Sequence, residues 1–273
     1  MKAFFKHKNG LIGGAMIGFI FVVALAAFFW TPYNPLAINL HIRLQPPSAT
    51  HWLGTDEFGR DVLSRVMAGA AASGTVALLS VISAVGLGLF MGVVAGFFRN
   101  WVDRVLMAIN DTLLAFPGIL FALGVMMIVG ANKWGIIIAL GLAYTPTVVR
   151  VVRGTVLSIR EKEYVEASRM IGNSELVTML RHVLPNCAAP VAVLTTSMVG
   201  WVLLSESALS FLGLGVPPPA PTWGNMLASS RQYMQSAVWL SLAPGLCIAL
   251  TLLGINLLGD AVRDKLDPRM VVA

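Results

Sequence analysis

Residues 85–96 read "VGLGLFMGVVAG". Four of these twelve residues are glycine and none is charged. They sit inside a longer apolar run, about Thr75–Phe98. A bilayer core of about 30 Å takes roughly 20 apolar residues to cross as a helix. Lipid tails are as apolar as leucine, so helices there gain little by hiding apolar area from each other. Small residues instead let their backbones approach. The stretch reads as a membrane-crossing helix shaped to pack in a bundle, and it sets the fold class: an all-α integral membrane protein.

Working outward, five more runs have the length and character of spans. They are Leu11–Trp30, about Val105–Val129, Trp134–Val149, about Ala188–Leu204 and about Val238–Leu258. The expected total is six transmembrane helices. Composition agrees: 57% of the 273 residues are hydrophobic and only 12% charged, and the mean hydropathy is +0.78. An ordinary soluble domain is about 45–50% apolar and about 25% charged. The net charge of +6 does not point to nucleic acid, because the basic residues are scattered around apolar runs and form no single patch. Cys187 and Cys247 lie in or beside apolar segments and read as small core residues, too few for a disulfide or metal framework.

The first span has traits of a cleaved signal: Lys2, Lys6 and Lys8, an apolar run, and Ala24-Leu25-Ala26. The run continues through Phe28, Phe29 and Trp30, an aromatic anchor suited to an interface. It is read as a retained span. Lys and Arg concentrate on the cytoplasmic side of short loops. With the N-terminus inside, fourteen of the nineteen basic residues fall on inner segments. Five fall outside: Arg43, Arg60, Arg65, Lys133 and Arg231. Both termini are expected in the cytoplasm.

One segment breaks the apolar pattern. Residues 164–186 read "YVEASRMIGNSELVTMLRHVLPN", and the charge bias puts them on the inner side. The pattern predicts a helix over Ser158–Ile171 that ends at Gly172 in the left-handed conformation. Asn173 or Ser174 then caps a second helix, with Glu175 in its first turn. Leu176, Met179, Leu180, Val183 and Leu184 form an apolar stripe, and Pro185 stops the helix. Ala167, Ser168 and Gly172 leave room for close approach at the bend. A plain amphipathic helix lying on the membrane fits the same pattern equally well.

The run resembles the EAA loop of ABC-transporter permeases: Glu166-Ala167-Ser168, three residues, Gly172, then a tract ending Leu184-Pro185. Ser168 departs from the usual second Ala, and His182 stands where Ile is common. "HWLGTDEFGRDVLSRV" (51–66), "ALSFLGLGVPPPAPTWGNML" (208–227) and "NLLGDAVRDKLDPR" (256–269) are similar to the second permease subunit of the dipeptide, oligopeptide and nickel importers. The resemblance implies a type I ABC importer permease fold in a bacterial inner membrane. It implies a second, different permease, two ATP-binding cassette subunits and an external substrate-binding protein. ATP and Mg would sit on the ATPases, with no cofactor on this chain. Glu166, Ala167, Ser168, Gly172, Leu184 and Pro185 would form the coupling site for those ATPases. The expected organisation is residues 1–68 as a first helix and external segment, 69–260 as a five-helix core with its coupling loop at 150–186, and 261–273 as a cytoplasmic tail.

The residues also say what the chain lacks. A phosphate-cradling loop needs Gly-Lys-Ser/Thr, and no Gly-Lys pair occurs. No catalytic or metal-ligating spacing appears among His7, His41, His51 and His182. Asp111 and Glu206 are acids at or near membrane depth, which are costly there and often functional. They are candidates for the substrate path. For Asp111 a structural pair with Arg104 is favoured. Arg60, Asp61 and Trp223, in outer segments with interfacial-helix patterns, are candidates for docking the binding protein. Residues 217–221, Pro-Pro-Pro-Ala-Pro, read as a stiff polyproline-type piece. Peptides lead as substrate class, with nickel chelates, glutathione and opine- or sugar-type ligands as alternatives. An ion-coupled secondary transporter would need intramembrane carboxylates and usually internal repeats. A membrane scaffold would use the polar segment only for docking.

Overall fold

A computed structural model describes residues 8–98 and 100–266. Lys2, Lys6, Arg99 and Arg269 of the charge count, and the tail from 267, lie outside the described residues. Among the described residues ten α-helices follow in order: α1 Lys8–Phe29, α2 Val62–Phe98, α3 Asn100–Ala115, α4 Gly118–Val129, α5 Lys133–Ile159, α6 Glu163–Met170, α7 Glu175–Thr178, α8 Ala188–Phe211, α9 Trp223–Ser230 and α10 Trp239–Leu266. No strand occurs among the described residues.

The glycine-rich stretch forms the centre of the bundle. A Cβ at Gly92 or Gly96 would stand 2.7 or 2.8 Å from the Cβ of Val152 or Val156, and one at Gly88 would overlap Val148. Every fourth residue of α2 is thus missing a side chain where α5 presents a valine. The two backbones close to a distance that any larger residue would forbid. The register rises on both helices together, so α2 and α5 run parallel. The chain between them must therefore travel back along their length, and α3 and α4 carry it. Around this pair Val76, Val81, Met126, Ile136, Leu140, Met198 and Val202 build the main apolar core. On the far side α1 crosses α10 at a glycine contact, where a Cβ at Gly13 would lie 2.7 Å from the Gly254 carbonyl.

Among the described residues five helices or helix runs are long and apolar enough to cross a membrane: α1, α2, α5, 175–211 and α10. The expected span Val105–Val129 is not one straight helix. It breaks at Phe116-Pro117 into α3 and α4, bent by 97°. Pro117 has no N–H to continue the helix and disfavours helical geometry in the residue before it. Hydropathy stays high across the break and hides it.

The two ends of the bundle differ. At one end residues 31–61 and α9 fold into a cap on α2 and α10. The outer segment around Arg60 and Asp61, whose pattern reads as an interfacial helix, instead runs into the first turns of α2, where Val62, Val66, Met67 and Ala70 are buried in that cap. The other end carries residues 160–187.

Candidate functional site at the polar bend

α5 ends at Ile159, three residues turn, and α6 begins at Glu163. The single expected helix over Ser158–Ile171 is thus two. Arg160 accounts for the joint, because its Nη1 donates to the carbonyls of Gly96 and Phe97 at 3.1 and 2.8 Å. These are last-turn carbonyls of α2 with no partner in their own helix. A cation there also suits the negative end of the helix dipole. The bend is tied to the end of α2 as well as to its own chain neighbours.

α6 closes in a Schellman motif. The Gly172 N–H donates to the Arg169 carbonyl at 2.9 Å and the Asn173 N–H to the Ser168 carbonyl at 3.2 Å. Gly172 has φ +93°, a region that L side chains rarely adopt. Ser174 then caps α7, accepting from the Val177 N–H. Three side-chain links close the corner. Ser168 and Thr178 share a hydroxyl–hydroxyl bond of 3.1 Å, both buried. Asn173 Nδ2 donates to Ser168 Oγ at 3.0 Å. Arg169 grips Glu175 with two bonds of 3.0 and 3.3 Å.

Pro185 does not stop the helix. The chain loosens into a π turn at Met179–Val183 and tightens into a 3-10 turn at Leu184–Cys187, then runs on as α8. A proline ring crowds the carbonyl four residues back and cannot donate to it. The shifted hydrogen-bond spacing removes the conflict, and Asn186 Nδ2 takes the His182 carbonyl at 2.7 Å.

The sequence candidates therefore sort by direction. Glu166, Ala167, Gly172 and Pro185 are exposed, Leu184 is half-buried and Ser168 is buried as part of the corner. Met170 and Ile171, not singled out from sequence, are 84% and 81% exposed on the outside of the bend, beside Ala167. Two large apolar residues directly before a helix-ending glycine were the available signal. A Cβ at Gly172 would meet nothing within 4 Å, so the space outside the corner is open.

The other candidates lie elsewhere. Asp111 pairs with Arg150 at 2.8 Å and not with the expected Arg104, and both partners are largely exposed. Asp111 and Arg104 share a helix, but α5 lies alongside α3 and supplies the nearer cation. Asp103 receives two bonds from Arg153, at 2.5 and 2.7 Å, so two arginines of α5 fasten α3. Glu206 is not beyond its span but inside α8, fully buried. Ser210 Oγ donates to one of its oxygens at 3.0 Å, and the other has no hydrogen bond among the described residues.

Arg60, Asp61 and Trp223 hold the cap together from within. Asp56 accepts from the Arg60 N–H at 2.9 Å and from Arg60 Nε at 2.6 Å, with Arg65 Nε at 3.3 Å. Asp61 caps α2 by accepting from the Ser64 N–H at 2.8 Å and meets His51 Nδ1 at 2.9 Å. Trp223 is 2% exposed; its indole donates to the Val66 carbonyl at 3.0 Å and its backbone N–H to Ser73 Oγ at 3.1 Å. The pattern expected α9 to lie on the membrane surface. Its Trp223 instead plugs the cap.

Comparison with known proteins fits this architecture. Residues 84–272 match the family described as "Binding-protein-dependent transport system inner membrane component". Residues 1–47 match the "N-terminal TM domain of oligopeptide transport permease C". The dipeptide transport system permease protein DppC of Alkalihalophilus pseudofirmus is 40% identical over 97% of this chain and 87% of its own length. The glutathione transport system permease protein GsiD of Pectobacterium atrosepticum is 35% identical over 98% of this chain and 90% of its own. Among solved structures, inward facing MetNI, a methionine ABC transporter, superposes with a TM-score of 0.61 at 18% identity. That match covers 74% of this chain and 96% of the other. The chain therefore belongs to the binding-protein-dependent transport system inner membrane components, as a multi-pass, non-catalytic inner-membrane permease of an ABC importer.

Proposed function

We propose that this chain forms half of the pore of an ATP-driven peptide importer, with the polar bend as its docking and coupling element. The observation that carries this is the surface of the bend. Met170 and Ile171 stand 84% and 81% exposed on a corner locked by the Schellman turn, the Ser168–Thr178 bond and the Arg169–Glu175 pair. The corner lies next to the ends of the long apolar helices, where a soluble partner has access. A rigid polar scaffold presenting two large apolar side chains suits a protein groove. It suits a lipid surface less, because Glu166 and Glu175 flank it. Glu166, Ala167 and Gly172 form the contact face. Ser168 holds the corner, and Leu184 and Pro185 shape the passage into α8.

In this reading α3 and α4 together make the third of six crossings, and both termini are cytoplasmic. Residues 1–68 and 261–273 flank a five-helix core, 69–260. Two ATP-binding cassette subunits carry ATP and Mg, and this chain binds no cofactor. A second, different permease completes the pore, and an external binding protein meets the cap. Arg60, Asp61 and Trp223 would act there by shaping the surface from beneath. Peptides are the substrate class, supported by the relatives named for dipeptides and glutathione, the latter itself peptide-like. The test is purification of the assembled complex followed by reconstitution. ATPase subunits should co-purify, and uptake of a dipeptide should require ATP and the binding protein. Uptake driven by an ion gradient with this chain alone would overturn the proposal.

A further inference from the structure

A crevice opens between α1 and α2 in the half of the bundle next to the cap. Along α1 it runs from Ile17 to Phe28 and along α2 from Ala70 to Leu79, with Leu203 of α8 and Ile255 of α10 at its back. Its volume is about 360 Å³. α1 reaches the core beside it, where Ile17 packs on Gly254 and Ile20 and Ala24 join the cluster around Leu203 and Trp223. On the α2 wall a Cβ at Gly74 would meet nothing within 4 Å. Gly88, Gly92 and Gly96 of the same helix are filled by valines of α5, whereas Gly74 faces space that the chain leaves open. Phe21, Phe28 and Leu78 line the crevice and are exposed, so it opens sideways between two membrane-crossing helices.

Its chemistry decides what fills it. The polar side chains of the lining are already satisfied. Thr75 Oγ1 donates to the Ala71 carbonyl at 2.5 Å and Thr251 Oγ1 to the Cys247 carbonyl at 2.7 Å, and Trp223 Nε1 donates to the Val66 carbonyl at 3.0 Å. The other lining residues are apolar or glycine. Water or a charged solute would find no partner there. One turn of a helix with its side chains, about 10 Å wide and 5.4 Å long, takes up roughly 400 Å³, so a partner's helix does not fit along the crevice. A flexible hydrocarbon chain does. The rise from Ile17 to Phe28 is roughly 16 Å, close to half of a bilayer core of about 30 Å, which is the reach of one leaflet's acyl chains. Left empty, the crevice would forfeit dispersion contacts along both helices.

We propose that this crevice binds one acyl chain of a phospholipid from the leaflet on the cap side, and that the chain wedges α1 against the core. The site is built by this chain alone and does not depend on what the importer carries.

The experiment uses the complete transporter, with both permeases and the ATPases, in vesicles of phosphatidylethanolamine and phosphatidylglycerol. A trace of phosphatidylcholine carries a diazirine midway along one acyl chain. The complex is irradiated either in the vesicles or after extraction and washing in detergent, and the labelled residues are mapped by mass spectrometry. In the vesicles label is expected at Ala71 and Gly74, which line the crevice, and at Val22 and Ile82, which are exposed and do not line it. After washing, label at Ala71 and Gly74 should persist within about twofold while Val22 and Ile82 lose about tenfold or more, because a bound chain leaves slowly. Gly74→Phe fills the crevice from the α2 side and should abolish the persistent label in a complex that still assembles. Equal loss at both pairs of residues overturns the site and leaves only bulk lipid contact. No label at Ala71 and Gly74 in the vesicles also overturns it, and puts a partner's side chains in the crevice. Persistent label in assembled Gly74→Phe overturns it as well. If Gly74→Phe does not assemble, the washing experiment on the unmodified protein decides alone.

Discussion

The cap and the polar bend make an instructive pair. Both interrupt an apolar chain with charged, motif-like sequence, and both invite a reading as docking surfaces. In the cap the charges turn inward: Asp56, Arg60 and Asp61 are 4, 8 and 3% exposed. In the bend the motif faces out, and the apolar Met170 and Ile171 are 84% and 81% exposed. The difference lies in what the backbone requires. The cap has few helices and must satisfy loop N–H groups, so Asp56 and Asp61 are consumed by Phe58, Arg60 and Ser64. The bend satisfies its backbone by a Schellman turn and a cap, which frees its surface. Conspicuous charge marks construction in one region and access in the other.

The largest expected effect tests the inward half of this contrast. Asp56→Ala leaves the buried guanidiniums of Arg60 and Arg65 without their shared carboxylate. Removing one partner of a buried charge pair costs about 3–5 kcal/mol. Low yield and a lowered thermal midpoint of the detergent-purified complex are expected. A complex of normal stability that has lost stimulation by the binding protein would reverse the contrast and make Asp56 a surface group.

The second effect tests the outward half. Met170→Asp and Ile171→Asp touch nothing within the chain that holds the fold, so stability should stay within about 0.5 kcal/mol. Each should weaken ATPase retention about tenfold or more, as expected for an apolar anchor at an interface centre. The measurement is the ratio of ATPase to permease after affinity purification, beside a thermal scan. Retained ATPases with both variants would leave the bend as a surface without a partner.

The span positions were legible because length and apolarity alone decide them. The break at Pro117 was not, since residues 113–116 before it and 118–121 after it are all apolar or glycine, and only the proline's missing N–H announces it. Gly172 was legible from the helix signals around it. Pro185 misled, because the rule that proline ends a helix does not foresee a π turn that absorbs it. The Asp111–Arg150 and Asp103–Arg153 pairs join α3 to α5 across about 40–50 residues of chain, and local spacing reports only neighbours. Trp223 looked interfacial because its role depends on Gly69, where a Cβ would press on the indole at 3.0 Å.

A third, smaller effect separates the fold of the bend from its use. At φ +93° a non-glycine residue costs about 1–2 kcal/mol. Gly172→Ala and Gly172→Leu, neither of them β-branched, share that backbone cost, and a Cβ at this position meets nothing within 4 Å. Both should lower uptake, and any excess loss in Gly172→Leu reports a partner surface close to that position. Equal uptake by the two variants would put the partner elsewhere on the bend.

The smallest effect concerns the Arg169–Glu175 pair, which spans the corner at the surface. Exposed pairs of this kind are worth about 0.2–1 kcal/mol, so its breakage does not unfold the bend. Its orientation matters more, because Arg169 also lies over the Phe97 ring at 5.7 Å and so links the corner to the end of α2. Glu175 additionally sits in the first turn of α7, where a negative charge suits the helix dipole. Glu175→Arg alone should reduce coupled uptake by about twofold to fivefold. The double exchange Arg169→Glu with Glu175→Arg restores the pair but inverts the charge at the helix start and over the ring. Partial recovery is therefore expected, above either single variant and below the unmodified protein, in uptake per ATP hydrolysed. Full recovery would reduce the pair to a simple clamp. If the double exchange does no better than the worse single variant, one of these two side chains belongs to the contact surface, which would then extend past Met170 and Ile171 to the charged flank of the corner.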